Sequence, residues 1–197
     1  MIAVVSFNLI PEAMQIAGIS QVILGILAGI IIMIICELLV NKKFSKAERK
    51  GDSLLKTGII ISIGLAIHNL PEGLAIGSGF GASVVLGYSL AIAIALHDIP
   101  EGISMAVPMK QGGMRAGKIL FYVFLSGVTT GIGACIGAII GGISENIIAM
   151  CLSFAAGAML YIVSGELIPE CNKLYKGKMN AIGNIIGFIL GLYTTIL

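Results

Sequence analysis

Apolar residues run along this chain in long blocks separated by short polar stretches. Seven blocks predict seven helical segments, at roughly 2–14 (A), 20–40 (B), 55–79 (C), 84–108 (D), 116–141 (E), 147–168 (F) and 180–197 (G). The longer ones have the ~20 residues that a helix needs to cross about 30 Å of hydrocarbon. They are continuous, without the period-two alternation of a membrane barrel. The predicted fold class is all-α, a polytopic membrane helix bundle forming a single domain over 1–197. Segment A is short: its thirteen residues rise only about 20 Å. That length predicts either a broken helix or further sequence upstream of Met1, and the lack of a polar flank favours the second.

Composition agrees with this pattern. Hydrophobic residues make up 57% and charged residues 11%, with a mean hydropathy of +1.05, far from soluble averages. Cys36, Cys135 and Cys151 sit within apolar segments and no CxxC pair occurs, so they read as small packing residues. The charges carry topology. Lys42, Lys43, Lys46, Arg49, Lys50 and Lys56 surround the B–C connection, Lys110, Arg115 and Lys118 the D–E connection, and Lys173, Lys176 and Lys178 the F–G connection. The A–B, C–D and E–F connections have no basic residue. Positive charge marks the cytoplasmic side. The expectation is a multi-pass protein of the cell membrane, inner or plasma membrane, with a basic cytoplasmic loop at about 41–55 and the C-terminus outside. Glu48 and Asp52 interrupt the basic run, which therefore reads as a topology signal and not as a nucleic-acid patch.

Two copies of one motif then stand out, because ionisable groups inside apolar spans are expensive. Ala66-Ile67-His68-Asn69-Leu70-Pro71-Glu72-Gly73 lies in C and Ala95-Leu96-His97-Asp98-Ile99-Pro100-Glu101-Gly102 in D. Each His–Glu pair at i,i+4 shares one helix face, about 6 Å apart along the axis. Two facing pairs make a His2Glu2 set, which suits a divalent transition metal, and Asn69 and Asp98 can face the same space. Pro71 and Pro100 cannot bond the carbonyls of Ile67 and Leu96, so a kink is expected at each. Gly73 and Gly102 are expected to admit a neighbouring helix closely. Glycines 133, 137 and 141 in E, and 183, 187 and 191 in G, are expected to do so too.

Consecutive spans run antiparallel, so the two motif copies are inverted. A second pair repeats the relation: Val5-Ser6-Phe7-Asn8-Leu9-Ile10-Pro11-Glu12 in A and Val163-Ser164-Gly165-Glu166-Leu167-Ile168-Pro169-Glu170 in F. Inverted repeats are the mark of transporters that bind cargo near the bilayer midplane. Asn8, Glu12, Glu166 and Glu170 read either as lining the access routes or as polar helix ends at the interface.

The HNLPEG and HDIPEG segments resemble the paired signatures of the ZIP family of divalent metal transporters, in its fourth and fifth helices, and the bacterial branch is the most similar in character. The resemblance covers nearly the whole chain: SFNLIPEA looks like the end of the family's second helix and SGELIPE like part of its seventh. Segments A–G would then be family helices two to eight, with the first helix lacking. The resemblance implies that His68, Glu72, His97 and Glu101 form the primary metal site, and that Asn69 and Asp98, sharing the glutamates, form a second. Many members place a glutamate in the sixth helix, where this chain has Thr130 in Ser126-Gly127-Val128-Thr129-Thr130-Gly131. Glu72, Glu101 and Asp98 total −3, ample for one dication and short for two.

The leading reading is a secondary transporter importing Zn2+, and also Fe2+ or Mn2+, as cargo, with no catalytic cofactor. A homodimer in the bilayer is a compatible assembly. Two alternatives stay open at this level: a metal-binding chain without transport, and an intramembrane metal hydrolase with Glu72 or Glu101 as general base. The topology has a direct check. In a cysteine-free background, Lys46→Cys should react with a membrane-impermeant maleimide only after permeabilisation, whereas Ile143→Cys should react in intact cells.

Overall fold

The computed structural model describes residues 1–48, 54–174 and 177–194. Arg49, Lys50 and Lys176, which belong to the topology argument, lie outside the described residues. The described residues form seven helices: α1 (Ile2–Ile16), α2 (Ile19–Glu48), α3 (Leu54–Ala82), α4 (Val84–Gln111), α5 (Ala116–Gly141), α6 (Glu145–Ile162, running on through Val163–Leu167 into Ile168–Leu174) and α7 (Met179–Thr194). Among them, Ile19–Leu39, Val84–Gln111, Ala116–Gly141 and Glu145–Gly165 are long and apolar enough to cross a membrane, by length and composition. Large apolar side chains such as Leu24, Val85, Phe124 and Ile189 point outward, as the surroundings of a membrane bundle require.

Two boundaries differ from the sequence reading. Helix α2 does not stop at 40 but continues to Glu48, so much of the predicted loop 41–55 is helical. Hydropathy ends where the lysines begin, yet Lys and Glu are good helix formers once outside hydrocarbon. Segment A forms a helix interrupted by a π turn at Val5–Leu9. The second π turn, Val163–Leu167, stands at the matching place in the other copy of that motif. Both precede the motif's proline, Pro11 or Pro169, whose ring displaces the preceding turn and whose nitrogen donates no bond. The backbone thus supports the inverted repeat between A and F. Helices α3 and α4, by contrast, run on through Pro71, Pro100 and Pro108.

The α3–α4 hairpin turns on Ser83, whose hydroxyl accepts a hydrogen bond from the Leu86 N–H at 3.1 Å and caps α4. His68 lies 15 residues before this turn and His97 14 after it, so a tight antiparallel hairpin sets both imidazoles at nearly one depth. A Phe80–Tyr88 edge-to-face pair, with centroids 5.3 Å apart, closes the hairpin end. The next connection, α4 to α5, turns at Gly113 with φ +85°, a conformation that favours glycine.

Helix α3 packs backbone to backbone on α5. A Cβ built at Gly73 would lie 1.9 Å from the Thr130 carbonyl oxygen, one at Gly77 2.1 Å from that of Ala134, and one at Gly133 2.3 Å from that of Leu70. A similar contact joins α2 to α6, where Cβ atoms at Gly29 and Gly157 would meet the Phe154 and Ile26 carbonyls at 2.1 Å. Two expectations need correction. Gly102 has only ordinary contact, 3.5 Å from Val123 Cγ1, because it does not face a helix backbone. In α7, Gly183 and Gly187 meet nothing within 4 Å, and only Gly191 approaches a neighbour, Ala3 of α1. The two tight pairs meet along a seam filled by apolar side chains: Val4, Val5 and Leu9 of α1, Ala75 of α3, Leu86, Leu90 and Ile94 of α4, and Leu152, Ala156 and Met159 of α6. All four cysteines are free thiols, Cys151 buried and Cys135 and Cys171 exposed.

These contacts set a stability order. Gly73→Ala and Gly133→Ala should each cost about 1–3 kcal/mol by overpacking, while Gly183→Ala should be neutral or mildly stabilising through helix propensity. Thermal melting of the purified variants in detergent reads this as lowered midpoints for the first two only.

Candidate metal centre

Helices α3 and α4 supply the polar cluster, and Glu72 is its hub. Its side chain is fully buried, 0% exposed, in the middle of α3. Glu72 Oε1 lies 2.6 Å from His97 Nε2 and 3.2 Å from His68 Nε2. His68 Nε2 is also 3.4 Å from Glu101 Oε1, and His97 Nε2 is 3.8 Å from Asp98 Oδ1. The ligand atoms form two triads that share Glu72: His68, Glu72 and Glu101, and Glu72, His97 and Asp98, each within 4.8 Å of one another. Donors held about 2.0–2.1 Å from a tetrahedral zinc ion stand about 3.3 Å apart. The observed separations bracket that value.

Burial grades across the cluster. His68 is 4% exposed and Glu101 13%, whereas Asp98 at 34% lies toward the edge. A low-dielectric surround strengthens the attraction between carboxylates and a dication. The His97 ring is oriented by its own helix: with Nδ1–H donated to the Ala93 carbonyl at 3.0 Å, the Nε2 lone pair faces the cluster. Such a bond to the outer nitrogen orients a metal-ligating histidine. Neither ring nitrogen of His68 has a hydrogen-bond partner, nor has Glu72 Oε2. Buried polar atoms without partners are costly. Here they belong to one compact set of donors.

Asn69 stands apart. Its amide nitrogen donates to the Ser126 carbonyl of α5 at 3.1 Å and lies 3.4 Å from the Ser126 hydroxyl, so its side chain leans to α5. Asn69 Oδ1, Asp98 Oδ1 and Thr130 Oγ1 are all buried without a partner, one from each of α3, α4 and α5. Thr129 donates to the Ser126 carbonyl at 2.6 Å, keeping that turn of α5 in place. The structure therefore joins His68, Glu72, His97, Glu101 and Asp98 directly and leaves Asn69 at the α3–α5 boundary.

Of the residues read as lining the access routes, Asn8 is buried in α1 and donates through Nδ2 to Ser89 Oγ of α4 at 3.0 Å. Glu12 is half-buried one helical turn further along. The side chains of Glu166 and Glu170 lie outside the described residues. Sequence reasoning did not single out Ser89 or the support role of Ser126. Their signal, a hydroxyl within an apolar span, is common in membrane helices and weak alone. A cavity of about 490 Å3 opens beside the cluster, lined by His97, Glu101, Ser104, Val163, Gly187 and Phe188 among others.

Comparison with known proteins agrees with the geometry. The ZIP Zinc transporter family matches residues 41–197. The zinc transporter GufA of Myxococcus xanthus is 30% identical over 199 residues, which cover 95% of this chain and 78% of that protein. The zinc transporter ZupT of Clostridium perfringens is 40% identical over 154 residues, 76% of this chain and 53% of that protein. The zinc transporter ZIP11 of Xenopus tropicalis is 39% identical over 152 residues, 74% of this chain and 45% of its own length. The chain thus spans about half the length of the ZIP11 and ZupT relatives. With its paired His–Glu helices and a family match over most of its length, the chain belongs to the ZIP family of zinc transporters.

Proposed function

We propose that this chain moves divalent metal ions, with Zn2+ as the main cargo and Fe2+ or Mn2+ as further cargo, inward across a cell membrane. The observation that carries the reading is the meeting of His68, Glu72, His97 and Glu101 from two antiparallel helices at one buried point. Two neutral imidazoles and two carboxylates balance a dication and can fill a tetrahedral shell. A hydrolase needs an open coordination position for water, which this donor set does not favour. The positively charged B–C, D–E and F–G connections support a cytoplasmic assignment for that side and an outside C-terminus. His/Glu donors do not separate zinc from iron or manganese by themselves, since affinity order and supply decide which metal fills such a site.

Ligation needs deprotonated carboxylates and neutral imidazoles, so cargo binding releases protons and weakens as pH falls. The second reading inside this site concerns Asn69, Asp98 and Thr130, whose orphan oxygens come from three helices. Thr130 adds no charge, so the set, which shares Glu72 and Glu101, holds a second ion weakly. The glycine-lined packing also leaves outward apolar faces on α5 and α7 that suit lipid or a second copy of the chain.

Two measurements test this. Proteoliposomes should show saturable uptake of radioactive zinc, reduced about 100-fold or more by His68→Ala/His97→Ala, beyond what loss of one supporting contact costs a metal site. Stoichiometric binding without uptake would mean a metal-binding chain that does not transport. Calorimetry should give one tight zinc site per chain, and Thr130→Glu should add a second one, because it raises the nearby charge from −3 to −4.

A further inference from the structure

The cavity of about 490 Å3 lies on one side of the candidate metal centre. Its lining runs from His97 through Glu101 to Ser104 on α4, and includes Cys171 at the end of α6 and Asn184 near the start of α7. This is the half of the bundle that leads to Lys110 and Lys178, the basic, inner side. On the outer side of His97, Leu90, Ala93 and Ile94 of α4 belong to the same buried apolar cluster as Val4, Val5 and Leu9 of α1. A polar link crosses the seam there: Asn8 Nδ2 donates to Ser89 Oγ at 3.0 Å.

Three features distinguish Asn8. It is 8% exposed, yet its Oδ1 has no hydrogen-bond partner; a buried orphan carbonyl costs about 1–3 kcal/mol. It sits in the π turn Val5–Leu9, and π turns recur at functional sites. Its partner Ser89 precedes Ala93 and His97 on α4 at four-residue spacing, about 12 Å from His97 along the axis. A purely structural asparagine in an apolar seam would be expected to satisfy both ends of its amide.

We propose that the Asn8–Ser89 hydrogen bond is the outer gate of the metal route. It holds α1 against α4 while the inner cavity is open. In the alternate state the bond breaks, and Asn8 Oδ1 and the Ser89 hydroxyl become the first protein oxygens to meet an incoming divalent cation, which then passes Ala93 to reach His97 and Glu72. Amide and hydroxyl oxygens suit this task because they replace part of a hydration shell without binding so tightly as to trap the ion. The proposal rests on the transport reading and adds where its outer barrier lies.

The test uses the full chain with its four native cysteines replaced by alanine. In Asn8→Cys/Ser89→Cys, mild oxidation should cut zinc uptake about tenfold or more, and a reducing agent should restore it, because the closed state is then locked. Zinc binding by the cross-linked protein in detergent should change less than about twofold, since the inner cavity still reaches the site. Undiminished uptake by the fully cross-linked protein would overturn the gate. A second arm requires neither uptake nor a disulfide. It follows the reaction of Ser89→Cys with an impermeant maleimide applied from the outer side. Asn8→Ala should raise that rate about tenfold, by releasing the closed state, while Asn8→Asp, which keeps an acceptor for the thiol, should not. Equal rates with Asn8 intact and in both of these variants would overturn the gate even if the chain bound zinc without transporting it. Absent uptake in the reduced protein would count against the transport reading alone.

Discussion

A fully buried carboxylate in the middle of a membrane helix is the constraint around which this bundle is organised. Glu72 has no access to water, and a charge at that depth costs several kcal/mol even on scales that allow for relaxation. Its two nearest partners are imidazole nitrogens at 2.6 and 3.2 Å, one from its own helix and one from the next. The cost of burial is therefore offset only if α3 and α4 keep their register. Ser83 supplies that register by turning the hairpin within a single capping residue. The same seclusion would strengthen the pull of the proposed site on a dication, since electrostatic attraction grows as water is excluded.

Helix α3 has a different neighbour on its other face. Gly73 and Gly77 lie against carbonyls of α5, and Gly133 and Gly137 return the contact against carbonyls of α3. Interlocked backbones resist sliding, because any shift drives a carbonyl into a Cα. The α2–α6 pair is built the same way through Gly29 and Gly157. Between the two tight pairs lie apolar side chains and an apolar cavity of about 330 Å3 bounded by α2, α3, α5 and α6, while the cavity of about 490 Å3 opens beside the polar cluster. Side-chain packing can rearrange by rotamer changes, whereas glycine-to-carbonyl contacts cannot. Backbone contacts thus hold each pair more closely than the side chains between them do, and the candidate donors straddle that division: His68 and Glu72 stand on α3, within the α3–α5 pair, whereas His97, Asp98 and Glu101 stand on α4, outside both pairs.

Much of the candidate site was legible in the sequence. His68, Glu72, His97 and Glu101 were marked by their chemistry, since an ionisable residue is conspicuous in an apolar run and i,i+4 spacing sets its face. The inverted pair in A and F was legible too, and both copies carry a π turn at the same place. Helical angles allow Asn69 to face the cluster but do not show that Ser126 holds its amide nitrogen toward α5 while its Oδ1 stays unpartnered. Gly102 was misjudged because a motif position does not say what faces it. It occupies the same motif position as Gly73, yet α4 presents it to the side chain of Val123 and not to a backbone. The extent of α2 beyond residue 40 escaped a reading based on hydropathy, which marks the edge of hydrocarbon and not the end of a helix.

Residue type and spacing already fix what must be buried, which side chains could act as donors and how far apart they lie along each helix. Those properties depend on residue type and on the fixed rise and twist of the α-helix, which are local. Helix packing alone settles which of these side chains meet, that Glu72 lies against both histidines, that Asn8 reaches Ser89, and where the cavity beside the cluster opens. Each of these depends on rotation and translation between helices, set by where glycines let backbones touch and where larger side chains hold them apart. No periodicity within a single helix encodes that relation.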